Sequence, residues 1–150
     1  MERTFIALKP DAVQRGLIGE IISRIEKRGF KIVAMKLMHL SEEKAKEHYS
    51  EHIGKPFFDK LVTFITSGPI VAIVVEGVNV VKTMRKTMGA TNPQDSELGS
   101  IRADFGQDMG RNIIHGSDSL ESAKREIAIF FDDSEILPSW NRDVDKWVIE

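Results

Sequence analysis

Pro69-Ile70-Val71-Ala72-Ile73-Val74-Val75 is the longest apolar stretch of the chain, and it is apolar at odd and even positions alike. A strand with one face in water alternates, whereas a strand with no polar face belongs in the middle of a sheet covered on both sides. The stretch is also far shorter than the roughly 20 residues that cross a bilayer. It therefore reads as the core strand of a soluble protein.

Working outward from it, Ser67-Gly68 closes a helix that carries Phe57, Leu61 and Phe64 on one stripe and Phe58, Val62 and Ile65 on the next. Lys55-Pro56 separates that helix from an earlier one, which opens at Ser41 with an N-cap and the acidic first turn Glu42-Glu43. Phe30 to Leu40 alternates loosely as a strand. Before it, Ile18, Ile21, Ile22 and Ile25 repeat at helical spacing, and Gly29 is placed to cap the helix end. Thr4 to Leu8 is a first strand stopped by Lys9-Pro10. On the other side, Asn79 is placed to cap a helix running to about Met88, and Gly89 ends it. Gly89 to Arg111 has no sustained period, and loops of this length are usually functional. Asn112 to His115 reads as a fourth strand. Gly116 to Ser119 forms a turn and cap, and Leu120, Ala123, Ile127 and Phe130 mark a last amphipathic helix. A tail from about 132 carries Trp140 and Trp147.

Two split β-α-β units in this order predict an α+β fold, an α/β sandwich of the ferredoxin-like kind. Its four-stranded antiparallel sheet is covered by helices, with an inserted helix pair and a long loop. No linker or repeat divides the 150 residues, so one domain spanning 1–150 is expected. Composition narrows the chemistry. Zero cysteines remove disulfides, thiolate metal sites and thiol nucleophiles. A net charge of -2 argues against wrapping long nucleic acid. Met1-Glu2-Arg3 leads into no hydrophobic signal core, so a cytoplasmic protein is expected.

No P-loop, dinucleotide fingerprint or protein-kinase motif set is present, so any phosphate is handled by another device. Of the four histidines, His48 and His52 stand i, i+4 on a predicted helix, but no third metal ligand accompanies them and they read as solvated helix residues. His39 at a strand end carries no signal. His115 differs: it closes a short strand, Gly116 after it lets a ligand approach the backbone, and a helix amino terminus follows. Free NH groups there attract a phosphoryl group, and a neutral imidazole beside an anion site is a competent nucleophile. A buried structural histidine is the competing reading. Glu126, eleven positions on, could orient the ring in the manner of a triad's third member, or be an exposed helix residue. Lys9, Arg85, Arg102 and Arg111 are scattered cations that mean little singly.

The segment Asn112-Ile113-Ile114-His115-Gly116-Ser117-Asp118 matches N-x-x-H-G-S-D, and with it the chain resembles the nucleoside diphosphate kinase family along essentially its whole length. Thr4 to Asp11, Gly89 to Pro93 and Ile101 to Phe105 resemble the family as well. The resemblance implies transfer of a γ-phosphoryl group from a nucleoside triphosphate to a nucleoside diphosphate by a ping-pong route through phosphohistidine at His115. By the same resemblance, Lys9 and Tyr49 contact the transferred phosphoryl, and Arg85, Thr91 and Arg102 the other phosphates. Asn112 takes the ribose hydroxyl, Glu126 and Ser117 support the histidine, and Phe57 stacks on the base near Leu61 and Met109. Mg2+ is expected on the nucleotide phosphates, with no metal held by protein ligands alone. The long form of the family implies a homo-hexamer, a trimer of dimers. The chain ends Trp147-Val148-Ile149-Glu150, so a terminal tyrosine of longer members is missing. A silent nucleotide-binding relative would not need the nucleophile. An RNA-binding module would show aromatic and basic strands, whereas these strands are aliphatic.

Overall fold

The computed structural model describes residues 1–150. Four strands form one antiparallel sheet in the order β2-β3-β1-β4, with β1 at Glu2–Leu8, β2 at Lys31–Met38, β3 at Ile70–Gly77 and β4 at Ile114–Gly116. The strand order, the antiparallel pairing and the helical cover are those of the ferredoxin-like sandwich. All eight residues of β3 are buried, in agreement with its unbroken apolar run.

Each sheet face has its own core. On one, α2 (Ile18–Lys27) and α5 (Val80–Met88) cover the outward side chains of β1 and β3, with Ile6, Ile21, Ile25, Ile73, Met84 and Met88 all fully buried. On the other, α3 (Glu42–His48), α4 (Phe58–Ile65) and α7 (Leu120–Phe130) close over Phe5, Ala7, Ala72 and Val74. The α3–α4 hairpin is the inserted pair between β2 and β3. Ser41 caps α3 by accepting from the Lys44 amide, and Ser119 caps α7 by accepting from the Ser122 amide.

Several local expectations are corrected. Pro10 does more than stop β1: it sits at the first position of α1 (Pro10–Gln14), where its missing N–H costs nothing. Asn79 precedes α5 in the left-handed region at φ 48, and its side chain makes no cap bond. What fits it here is asparagine's tolerance of that conformation rather than its capping oxygen. The stretch from Gly89 to Arg111 holds a 3-10 turn (Pro93–Asp95) and a short helix α6 (Ile101–Phe105), capped by Ser100. Five helical residues are too few to leave a period in the sequence. In α4 the buried positions are Val62 and Ile65, whereas Phe57 lies just before the helix and is exposed. In α7 Leu120 is exposed and Glu126 is buried among Ala123, Ile129 and Phe130. The tail is partly ordered, with a 3-10 turn at Asp133–Glu135 and a final helix α8 (Asp145–Val148) held to the body by Arg142, which donates to the carbonyls of Gly29 and Phe30.

Candidate active site

The site is built where β1 ends and β4 begins. Antiparallel pairing puts Leu8 opposite Ile114 and Ala7 opposite His115, so Lys9 emerges beside the residues that precede the histidine. The Lys9 amide donates to the Ile113 carbonyl (2.8 Å), and its ammonium donates to Asn112 Oδ1 (2.8 Å). Asn112 in turn donates through Nδ2 to the Thr91 carbonyl (2.9 Å), which ties the long loop to the strand. Ile113 stands at φ 76, a conformation that β-branched residues scarcely adopt. Its amide is held by Asp11 Oδ2 (3.0 Å), so both polar groups of this strained residue are anchored by the segment after β1. This kink is why β4 starts at Ile114 and not at Asn112.

α7 packs on β1 and brings Glu126 against His115. Both carboxylate oxygens lie 3.0 Å from His115 Nε2, and Ser117 Oγ donates to Oε2 (2.8 Å). Burial alone would raise the Glu126 pKa, but the hydrogen bond and charge of His115 outweigh it and hold the carboxyl below its ordinary value. An ionised carboxylate accepts, so Nε2 donates to it and Nδ1 is the ring nitrogen left without a hydrogen-bond partner. A cavity of about 130 Å³ opens over the ring, lined among others by Tyr49, His52, Arg85, Asp118 and Arg125.

Charge around this cavity is arranged by burial. Desolvation brings the Lys9 ammonium down to about 8, with the Arg102 charge adding and Asp11 partly offsetting. Burial raises the Tyr49 phenol above its ordinary value and Glu126 reinforces it, so the hydroxyl stays protonated and able to donate. Arg85 donates to the Gly116 carbonyl (3.0 Å). Arg102 is 3% exposed and spends donors on the carbonyls of Asn112 (3.1 Å) and Gly89 (3.0 Å), as well as Ile114. It clamps the loop to β4. The Ser122 hydroxyl holds the exposed Asp118 carboxyl below its usual range, and Arg85 contributes.

Gly116 lines the cavity and has a second use: a Cβ there would lie 2.5 Å from Met88 Sδ, so glycine also lets α5 pack against β4. One sequence reading fails here. His48 is not solvated. It is the last residue of α3, 6% exposed, with its ring edge-on to His115 at 4.7 Å, while His52 lies beyond it in a separate 3-10 turn. Its spacing from Ala45 and Tyr49, also buried, was the available sign that it faces inward. Burial lowers His48 to about 3, with His115 adding, so the ring is uncharged at neutral pH.

The nucleoside diphosphate kinase model matches residues 2–136. The chain belongs to the nucleoside diphosphate kinase family. It is 61% identical over 150 residues, the full length of both chains, to the nucleoside diphosphate kinase of Desulforamulus reducens. It is 55% identical to that of Archaeoglobus fulgidus, covering 100% of this chain and 99% of the other. Among solved structures, a halophilic nucleoside diphosphate kinase from Halobacterium salinarum in complex with CDP superposes with a TM-score of 0.96 at 54% identity over 99% of each chain. The activity is accordingly that of a nucleoside diphosphate kinase, phosphoryl transfer between nucleotides.

Of the residues that the family resemblance marks, Tyr49, Arg85, His115 and Glu126 line the cavity, Ser117 bonds to Glu126, and Lys9 and Asn112 bond to each other where β1 ends. Phe57 is 45% exposed at the start of α4, and Leu61 is partly buried against the core. Met109 is exposed in the turn from Asp108 to Arg111, which Arg111 holds to α4 by lying 4.1 Å over the Phe64 ring. Thr91 is exposed in the long loop. Asp11 carries a role that no periodicity or charge count pointed to.

Proposed function

We propose that this kinase works by a ping-pong route in which His115 Nδ1 carries the phosphoryl group between nucleotides of any base. The observation that carries the reading is the His115–Glu126 pair: a carboxylate fixed on Nε2 leaves Nδ1 as the free nitrogen of a ring that lines the cavity. In the first half reaction the Nδ1 lone pair forms a bond to the γ-phosphorus while the bond to the bridging oxygen breaks, and the nucleoside diphosphate departs. Positive charge that gathers on the ring is met by Glu126. The second half reaction is the reverse with a new diphosphate, so the overall exchange is nearly isoenergetic because donor and acceptor are both phosphoanhydrides. In this reading Lys9 and the Tyr49 hydroxyl meet the transferred group, Arg85, Thr91 and Arg102 the other phosphates, and Asn112 the ribose. Fixed cations and positioning are what phosphoryl transfer needs.

For Mg2+ the carboxylates offer little: Glu126 is bonded to His115 and Glu51 is paired with Arg125 (3.1 Å). That leaves exposed Asp118, a donor set that fits a cation carried chiefly by the nucleotide's phosphates, which Asp118 would help to hold. Bound there, Mg2+ supplies charge neutralisation to the phosphates. Phe57, with Leu61 and Met109 about it, gives the base an aromatic face, and stacking tolerates every base.

The whole chain acts as one catalytic domain in the cytoplasm, where the nucleotide pools are, and no helix is long and apolar enough to cross a membrane. A hexamer is the assembly proposed, with the exposed side chains Leu98 (95%) and Trp147 (81%) as apolar groups for neighbouring subunits to cover. Light scattering at micromolar concentration tests it, and a monomer or dimer defeats it. The mechanism is tested by adding γ-labelled ATP alone. One label per chain should appear in a burst, leave in acid but survive base, and pass to any added nucleoside diphosphate. In His115→Ala the labelling should vanish while nucleotide binding remains. A phosphoenzyme in that variant, or exchange without one in the wild type, overturns the reading.

A further inference from the structure

His48 is buried at the site and has no part in the transfer described above. Its Nδ1 has no hydrogen-bond partner, which is unusual for a buried polar atom. The ring is set among Phe5, Tyr49 and Phe130, and presents its edge to His115. His48, His115 and Glu126 each offer a ligand atom, and these atoms lie within 4.8 Å of one another. Two imidazoles and a carboxylate make a donor set that suits Zn2+ and late first-row divalent cations, whereas Mg2+ prefers oxygen alone.

We propose that His48, His115 and Glu126 form an inhibitory Zn2+ site whose occupancy excludes phosphorylation of His115, and the reverse. A tetrahedral ion with bonds of about 2.0–2.1 Å sets its ligand atoms about 3.4 Å apart. Glu126 and His115 are already 3.0 Å apart, so the site closes by an inward swing of His48, which no hydrogen bond at Nδ1 resists. Zn2+ takes the lone pair at His115 Nε2, and the proton that Nε2 donated to Glu126 moves to Nδ1. No proton is released and nothing is oxidised, but the lone pair that attacks phosphorus is gone. Conversely, an N–P bond at Nδ1 leaves the Nε2 proton no other nitrogen to move to, so the ion would have to expel it from the ring, away from its bond to Glu126. Glu126 serves both states, as acceptor in one and ligand in the other.

Binding stands independently of the transfer mechanism; only the mutual exclusion rests on His115 Nδ1 being the nucleophile. The test therefore begins without nucleotide. Zn2+ is titrated into chelator-stripped enzyme against a chromogenic indicator, and one ion per chain is expected. His48→Phe, which keeps the ring volume, and His115→Gln should each weaken binding at least about tenfold. Nitrogen NMR of His115 should show the ring proton move from Nε2 to Nδ1 as Zn2+ is added. Phosphoenzyme made with γ-labelled ATP and freed of nucleotide should take up no Zn2+. Equal binding by wild type and both variants, no stoichiometric binding, or Zn2+ uptake by phosphoenzyme overturns the proposal. Failure of ATP to label the wild type would instead count against the phosphohistidine mechanism, with the titration unaffected.

Discussion

β3 and β4 belong to one sheet and are built on opposite terms. β3 is eight residues long, buried throughout, paired on both sides, and aliphatic from Ile70 to Val75. β4 has three residues, pairs only with β1, and is preceded by Ile113 in a conformation that disfavours its own side chain. Every local choice in β3 agrees with the fold. Around β4 the choices conflict: a half-buried lysine, a buried arginine whose donors go to carbonyls, and a buried glutamate on a helix face. Such conflicts are tolerated where something other than stability is selected. The strain at Ile113 is held by Asp11 and Lys9, residues that follow a regular strand, so the ordered part of the sheet supports the disordered choice beside it.

That division is broken most directly at Ile73, which is fully buried on β3 opposite Ile6. Ile73→Ala should lower unfolding free energy by about 2–5 kcal/mol in denaturant titration, with the labelled burst per folded molecule unchanged. His115→Ala should do the reverse, with stability kept and the burst lost. A drop in burst per folded chain for Ile73→Ala would mean that packing under β3 sets the geometry of β4, and the two regions are not separable.

The same contrast explains what could be read from sequence. β3, the isoleucine stripe of α2 and the caps at Ser41 and Ser119 follow from local rules, and the structure keeps them. α1 was hidden because Pro10 ends a strand and begins a helix at one position. α6 was hidden by its five-residue length, and the start of β4 by the reversed φ of Ile113, which no side chain announces. At the site, His115 and Glu126 were suggested by spacing and marked by the family resemblance. His48 and Asp11 do their work through burial and a single backbone contact across the fold, and these appear only in three dimensions.

Phe57 sharpens the comparison at its margin. In the sequence the resemblance marks it as a stacking face, with a core residue on the stripe of Leu61 and Phe64 as the alternative, and its 45% exposure beside buried Val62 and Ile65 takes it out of the core. Phe57→Ala should then cost about 1–3 kcal/mol of nucleotide affinity by calorimetry, alike for purines and pyrimidines. Its unfolding free energy should stay within about 0.5 kcal/mol of wild type. Lost stability with kept affinity would return Phe57 to the structural side.

The smallest expected effect, about tenfold per pH unit, separates activity from stability within one side chain. Lys9 has its pKa lowered from 10.5 to about 8 by burial, then by Arg102, against the raising influence of Asp11. The free enzyme loses this cation as pH rises through about 8, so kcat/KM, which reports the free enzyme, should fall above that point. The limb in kcat should lie higher, because bound phosphate favours the charged amine. Stability takes the opposite sign. Between about 8 and 10.5 the unfolded chain holds a proton that folded Lys9 has released, so this group's contribution to stability rises with pH across that window, and its penalty is in full force below 8. Asp11→Asn removes the charge that lifts Lys9 and leaves an amide oxygen able to accept from Ile113, so its kcat/KM limb should move to lower pH. A limb that stays in place would mean that Asp11 acts on Ile113 alone. A kcat/KM flat to pH 9.5 in the wild type would show that the ammonium does not meet the phosphate, and that Lys9 serves to hold Asn112 and β4 rather than the reaction.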